Sequence, residues 1–413
     1  MEDSLFTDRK SGQLVSITGS LAFVPDNLPL SADIALTPAV AIELAKAQSE
    51  LGRLDGIGAI LPDPDILIAP FMRKEAELSS RIEGTQTTYE DLLLYEIERE
   101  EREPSADTRE VANYVTALKY ALDRTADLPV GKRLLCETHN LLMEGTDEEQ
   151  RSGAFRSQQV HIGRKGRPIE ESRFVPPPPY AIEACFANLE RYLGGDDDMP
   201  LLVKSAIAHY QFETIHPFFD GNGRMGRLMI PLLLCHEKML RAPMLYVSAY
   251  FERRRDEYND LMLDVSRDGR WTEWIVFFLK AVTAQSRDAT RRVRQLHDLR
   301  NDYHARVRDN RSAGALIKLV DALFELPFMT NPRARKILDQ SFQTSSENVK
   351  RLVEHGILTP INRIGATQYF AAIDIYEVVN RAEAVPAPLV DTTEGGTARN
   401  GLHASQLSEV GHR

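Results

Sequence analysis

The chain has 413 residues, 43% hydrophobic and 27% charged, the composition of a folded protein with a large core and one or two smaller parts. Its formal charge of −11 excludes a protein that coats nucleic acid by bulk electrostatics, while leaving room for a local basic face. Cys136, Cys185 and Cys235 stand singly, with no CxxC pair, so a disulfide scaffold is not indicated and free buried thiols are expected.

The opening MEDSLFTDRKSGQ is polar and acidic where a secretory leader would be basic and then apolar, so the expected location is cytoplasmic. Residues 1 to about 30 mix short β-prone pieces (LVSITG, LAFV) with Pro and Asn, an irregular arm with one hairpin. From Thr37 the segment PAVAIELAKAQSELGRLDGIG has helical spacing. Pro62, Pro64 and Pro70 then break the chain, and a second helix is expected to start at FMRKEAELSSRIEG and stop at Gly84. TTYEDLLLYEIEREE makes a third, with an acidic face.

Residues 107 to 145 and 180 to 193 are again helical and flank RSGAFRSQQVHIGRKGRPIEESRFVPPPP. Four prolines force the end of that insert into an extended path, and its front half, QQVHIG before a GRKGRP turn, reads as a β-hairpin flap. Further helices are expected over 201–211, 224–239, 256–266 and 271–284, so the centre of the chain is all-α. The longest apolar run, Leu228 to Cys235, is far shorter than a membrane span. A charged helix near 285–310 reads as a connector. Three helices and a hairpin follow it, the order of a winged helix-turn-helix. The tail beyond about Ala384 has too little apolar content to order itself.

The chemistry sits in Ile215 to Arg227, IHPFFDGNGRMGR, a helix, loop, helix junction. A glycine-rich loop feeding a helix N-terminus presents backbone N–H groups at the positive end of the dipole and so forms an anion cradle. Arg224 and Arg227, three apart on the first turn, place both guanidinium forks on one side for a polyphosphate. Asp220 is the natural carboxylate for a Mg²⁺ bridging those phosphates, and His216 is the group suited to taking a proton near neutral pH. Base, metal ligand, cradle and arginine clamps together define a phosphoryl or nucleotidyl transfer site.

HPFFDGNGRMGR resembles the Fic signature, HPFx(D/E)GNGRxxR, at every specified position. The resemblance implies a mainly α fold: a Fic-type helical core with a β-hairpin flap, an N-terminal helical extension and a C-terminal winged helix-turn-helix. The division that goes with it is extension 1–106, catalytic core 107–284, connector helix 285–310, winged helix 311–383 and disordered tail 384–413. It further implies transfer of AMP from ATP to Ser, Thr or Tyr hydroxyls of proteins, this chain included. His216 would deprotonate the hydroxyl and Asp220 would hold Mg²⁺. Gly221, Asn222 and Gly223 would bind the α- and β-phosphates, and Arg224 and Arg227 the β- and γ-phosphates, with Met225 and Gly226 completing the nucleotide-binding set. Phe218 would be a buried anchor. Backbone of Val160, His161, Ile162 and Gly163 on the flap would line the nucleotide and dock the target segment as an added strand. Tyr250 and Tyr258 sit where the family often packs adenine, and a core role for Tyr258 stands beside that reading.

Ser79 to Gly84, SSRIEG, fits the family's inhibitory pattern (S/T)xxxE(G/N) ahead of the core. The resemblance implies a brake in which Glu83 pairs bidentately with Arg227 and takes the fork that the γ-phosphate needs. The same glutamate could instead orient a water that removes AMP. His209, His139 and the His161 side chain read as structural, and Trp271 and Trp274 as core. The C-terminal module reads DNA, forms a homodimer or docks a protein. Thr344 to Glu354 would be the recognition helix, aided by Arg333, Arg335, Lys336 and Lys350. A nucleotide-sensing DNA-binding regulator is therefore the alternative to a transferase, and an intact His216 favours the transferase.

Overall fold

Two short strands, Gly12–Ile17 (β1) and Ser20–Pro25 (β2), pair antiparallel with Ile17 opposite Ser20. The tight turn between them rests on Gly19, whose φ of 81° is costly for any residue with a Cβ. This computed structural model describes residue 6 and residues 11–59, 64–98, 103–163, 166–195, 198–310, 312–364 and 367–381. The tail 384–413 and most of the first ten residues lie outside that range.

Twelve α-helices follow among the described residues: Ala32–Ala35 (α1), Pro38–Gly58 (α2), Pro64–Ile82 (α3), Tyr89–Glu98 (α4), Ala106–Arg124 (α5), Lys132–Leu142 (α6), Pro179–Leu193 (α7), Leu201–Ile215 (α8), Asn222–His236 (α9), Ser248–Arg253 (α10), Arg255–Asp268 (α11) and Trp271–Val307 (α12). Their starts follow local chemistry. Thr37 caps α2 by accepting the Val40 N–H at 3.4 Å, with Pro38 in the first turn, and Ser105 accepts the Thr108 N–H at 3.1 Å ahead of α5.

The centre of this layer is α8, in which every residue from Leu202 to Ile215 is buried. Only a helix packed on all sides has that pattern. Trp274 Nε1 donates to the Ala206 carbonyl at 2.9 Å, and the Tyr210 hydroxyl pairs with Ser266 Oγ at 2.8 Å. Both tryptophans are core residues, and burying a large apolar side chain stabilises by roughly 2 to 3 kcal/mol. The buried helix α8 thus holds rigidly whatever follows its last residue.

Two helices run differently from the sequence reading. Pro70 does not break the chain but lies inside α3, because Leu67, Ile68, Phe71 and Met72 are buried around it and that packing outweighs the lost backbone bond. The charged stretch read as a separate connector is the second half of α12, a helix of 37 residues uninterrupted at 285. Ala289, Val293, Leu296, Tyr303 and Val307 keep a buried stripe along it, so charge on the outer face conceals continuity on the inner one.

Beyond α12 come Ala313–Glu325 (α13), Phe328–Thr330 (β3), Asn331–Leu338 (α14), Phe342–Glu354 (α15), Thr359–Ile364 (β4), Thr367–Ala371 (β5) and Ile373–Asn380 (α16). The strands form an antiparallel sheet in the order β3-β5-β4. Arg333 does not project outward as a DNA contact. Its guanidinium donates to the carbonyls of Ala322 and Leu326, each at 3.0 Å, and of Phe328, satisfying the end of α13.

Helix α3 joins this region to the rest. Arg73 pairs with Glu96 and donates to the Glu325 carbonyl at 2.7 Å, while Lys74 pairs with Glu77 at 2.6 Å and donates to Asn380 Oδ1 at 2.8 Å.

Candidate functional site

Helix α8 ends at His216, which has φ 50° and ψ 60°, a left-handed conformation rare for a residue other than glycine. Pro217 then turns the chain, and Phe218 is fully buried against Phe155, Phe212 and the ring of His139. That burial is what the anchor reading of Phe218 requires. Gly221, with φ 73°, opens α9, and a Cβ there would crowd Met143 as well as strain the backbone. The loop is fastened by Asn222, whose side chain accepts from the Phe218 N–H at 2.8 Å and donates to the Phe218 carbonyl at 2.9 Å. Both ends of that amide thus hold the loop closed at Phe218.

The His216 ring is half-buried on a cavity of about 750 Å³. Its Nδ1 lies 3.2 Å from the Glu213 carbonyl, which can only accept, so Nδ1 carries the proton and Nε2 is left as the acceptor. Loss of water and the nearby Arg156 charge push the ring down to about 4, against the opposing pull of the Glu213 carbonyl, Glu83 and Asp220. The imidazole is neutral at pH 7.

Arg227 lines the same cavity and is 1% exposed. Its Nε donates to Ser79 Oγ at 2.9 Å, and its Nη2 donates to the Ser79 carbonyl at 2.9 Å and to Glu83 Oε1 at 2.6 Å. The pairing expected to be bidentate is single: Glu83 accepts from Nη2 alone and shares that nitrogen with the Ser79 carbonyl, while Nε goes to the Ser79 hydroxyl. Glu83 remains 43% exposed toward the cavity, and burial of its carboxyl is outweighed by Arg227, with Arg224 and His216 adding, so its pKa falls below the usual carboxylate range. Gly84, with φ 105°, ends the segment as read from sequence.

A Cβ on Gly223 would collide with Glu83 Oε1. The carboxylate of Glu83 therefore lies directly on the first turn of α9, where unpaired N–H groups and the helix dipole favour an anion. A fixed side chain sits where the sequence predicts a ligand's negative charge.

The other predicted residues are dispersed. Arg224 turns to α5, where its Nη1 donates to Glu110 Oε2 at 2.8 Å, and it lies outside the cavity lining. Arg224 and Arg227 are thus each held by a different carboxylate rather than standing free together. Asp220 is 58% exposed, with Oδ1 accepting the Gly221 N–H at 2.7 Å. Met225 is fully buried in the core and Gly226 packs against Glu213 and His209, so neither faces the cavity.

Of the flap residues, Ile162 and Gly163 line the cavity, whereas Val160 and His161 do not. The flap pairs at one bridge among the described residues, Ile162 with Phe174, through N–H to carbonyl bonds of 2.8 and 3.1 Å. Tyr258 lines the cavity, yet its ring stacks on Phe251 at 4.6 Å and its hydroxyl pairs with His209 Nε2 at 2.8 Å. It is a core residue with one edge on the cavity. Tyr250 is buried against Phe277. His209 and His139 fasten the loop from beneath: His209 through the Gly226 carbonyl at 3.0 Å, His139 through the Asp220 carbonyl at 3.0 Å.

Three residues at the site escape the motif. Glu110 and Arg156 lie far from the loop in sequence and have no local mark. Glu213 does have one: it is the single acid of α8, three residues before His216. It lines the cavity, its Oε1 has no hydrogen-bond partner among the described residues, and burial raises it to about 8, against the pull of Arg227. Glu75, buried beneath α10, is likewise raised to about 7 by burial.

Both acids hold protons in the folded state that they lose when unfolded. Their stabilisation is complete below the usual carboxylate range and is lost as pH rises through about 7 to 8. His216, His139 and His209, pushed down to about 4, 4 and 3 by burial, cost stability instead as pH falls below 6.5. Melting temperature should therefore peak near neutrality, and Glu213→Gln should flatten the decline between pH 6 and 9. Thermal melts of both proteins across that range check this, and parallel curves would reject it.

Residues 128–234, which contain the flap and the loop, match the family described as Fic/DOC family, and residues 41–123 match Fic/DOC family N-terminal. The chain therefore carries Fic/DOC family domains. A probable protein adenylyltransferase of Aquifex aeolicus is 26% identical over 216 residues, covering 50% of this chain and 62% of that protein. The protein adenylyltransferase Fic of Drosophila yakuba is 31% identical over 130 residues, 30% of this chain and 24% of that one. The chain thus spans less than two thirds of either relative. Among solved structures, a Fic family protein from Desulfovibrio desulfuricans G20 has a TM-score of 0.50 at 24% identity, covering 81% of this chain and 96% of that one. Fic-1 from C. elegans has a TM-score of 0.50 at 18% identity, with 63% and 74% covered. These likenesses show a mainly helical, Fic-type fold.

Proposed function

We propose that the chain is a protein adenylyltransferase that moves AMP from ATP to a Ser, Thr or Tyr hydroxyl, its own included, and that Glu83 restrains it. The observation that carries this reading is the convergence on one cavity of a neutral imidazole with its acceptor nitrogen free, a buried arginine and a helix N-terminus. The named adenylyltransferase relatives support it. In this reading residues 107–284 carry the chemistry and 1–106 the brake.

His216 Nε2 takes the proton as the target oxygen bonds to the α-phosphorus and the bond to the β-phosphate oxygen breaks, pyrophosphate leaving with the electron pair. A ring near 4 is a weak base in the empty cavity. An anionic polyphosphate beside it favours the charged form and raises its proton affinity toward the working range. The first N–H groups of α9 and the Arg227 fork would hold the phosphates once Glu83 yields. The exposed Asp220 carboxylate fits Mg²⁺, which takes few protein ligands, and no cluster of three or more His, Cys, Asp or Glu side chains suits a metal among the described residues. When bound, Mg²⁺ supplies neutralisation of phosphate charge. The Ile162 edge of the flap would receive an extended target segment.

Incubation with ATP labelled at either the α- or the γ-phosphate tests the reaction. Label retained on protein from the α position alone is expected; retention of the γ label would make the chain a kinase, and retention of neither would reject transfer.

A further inference from the structure

Arg156 is 5% exposed, and its guanidinium meets only backbone carbonyls. Nε donates to His216 at 2.8 Å, Nη1 to Gln158 at 3.1 Å, and Nη2 to Pro177 at 2.6 Å and Ile215 at 3.4 Å. Its own N–H donates to the Pro217 carbonyl at 2.8 Å. No carboxylate pairs with it among the described residues, and burial lowers it to about 10. A buried cation without a counter-charge is costly, so a fold that keeps one uses its geometry.

The acceptors belong to two segments. His216, Ile215 and Pro217 form the left-handed junction after α8, while Gln158 and Pro177 are the two stems of the flap that carries Ile162 and Phe174. We propose that Arg156 is a positioning residue that holds the His216 backbone left-handed and fixes the flap stems to it, setting the imidazole and the target-docking edge in one register. This rests on the transferase reading of His216. The planar fork matters, because lysine can reach one carbonyl but cannot span all four.

A second consequence concerns charge. Arg156 faces the ring from the flap stem and disfavours its protonation, whereas Glu83 from just beyond α3 and Asp220 from the loop act the other way. Removing the guanidinium should let His216 bind a proton more readily.

The test compares full-length wild type, Arg156→Lys and Arg156→Gln. With α-labelled ATP, Arg156→Gln should lose about 10²-fold in kcat, the scale set by a misplaced reacting group, while KM for ATP stays within about twofold. Arg156→Lys should recover part of that loss. NMR titration of the His216 Cε1 signal, assigned by its absence in His216→Ala, should show an upward shift in Arg156→Gln and a smaller one in Arg156→Lys. Unchanged kcat with a wild-type titration in either folded variant overturns the proposal, as does a loss of kcat that follows melting temperature alone while the titration stays put. The titration needs no turnover. Should wild type transfer no label, the transferase reading fails and the NMR result still decides whether Arg156 sets His216.

Discussion

His216→Ala lowers transfer of α-labelled AMP by about 10²–10⁴-fold, the contribution of a positioned general base. The ring is placed by three independent constraints: the rigid end of α8, the Nδ1 bond to Glu213 and the backbone bond from Arg156. Alanine removes the acceptor together with the Nδ1 bond and leaves the two constraints that act on the backbone, the end of α8 and the bond from Arg156, standing. The ring is only half-buried, so folding should survive. Equal transfer by folded wild type and variant would remove His216 from the mechanism as its base.

The opposite sign is expected at Glu83. Glu83→Gly raises self-modification by about 10- to 100-fold, the range given by the roughly 1.5–3 kcal/mol of one hydrogen bond between charged groups. Two effects add in this variant. Arg227 loses the partner held at 2.6 Å while Ser79 continues to orient it, and the first turn of α9 loses the carboxylate lying on Gly223. Because Glu83 is exposed, the fold should lose little, and melting temperature serves as the control. Transfer that is unchanged or lower in a well-folded variant would reject the brake. Slower loss of AMP from already modified protein would instead give Glu83 the water-orienting role.

Much of the site was legible because its parts are local. From His216 to Arg227 one short run supplies the helix stop, the turn, the glycine with positive φ and the restart, each signalled by its own residue type. Illegible were the partners that arrive from elsewhere in the chain. Nothing near Arg224 announces Glu110, and nothing in GAFRS announces that Arg156 reaches the carbonyl of His216. Spacing showed that Arg224 and Arg227 share a turn but not that each is claimed by its own carboxylate. It placed Tyr258 beside the base without revealing the bond to His209 that commits it to the core. In the fold, Pro70 was read by intrinsic preference and overruled by packing, and the outer charges of α12 masked a buried stripe that only the neighbouring helices disclose.

The unbroken course of α12 has a practical corollary. At about 1.5 Å per residue it extends about 55 Å, lying along α2 at one end and carrying Arg292 and Tyr303 to α16 at the other. A fragment trimmed at residue 284 would sever this beam mid-span and bare the oily side of what remains.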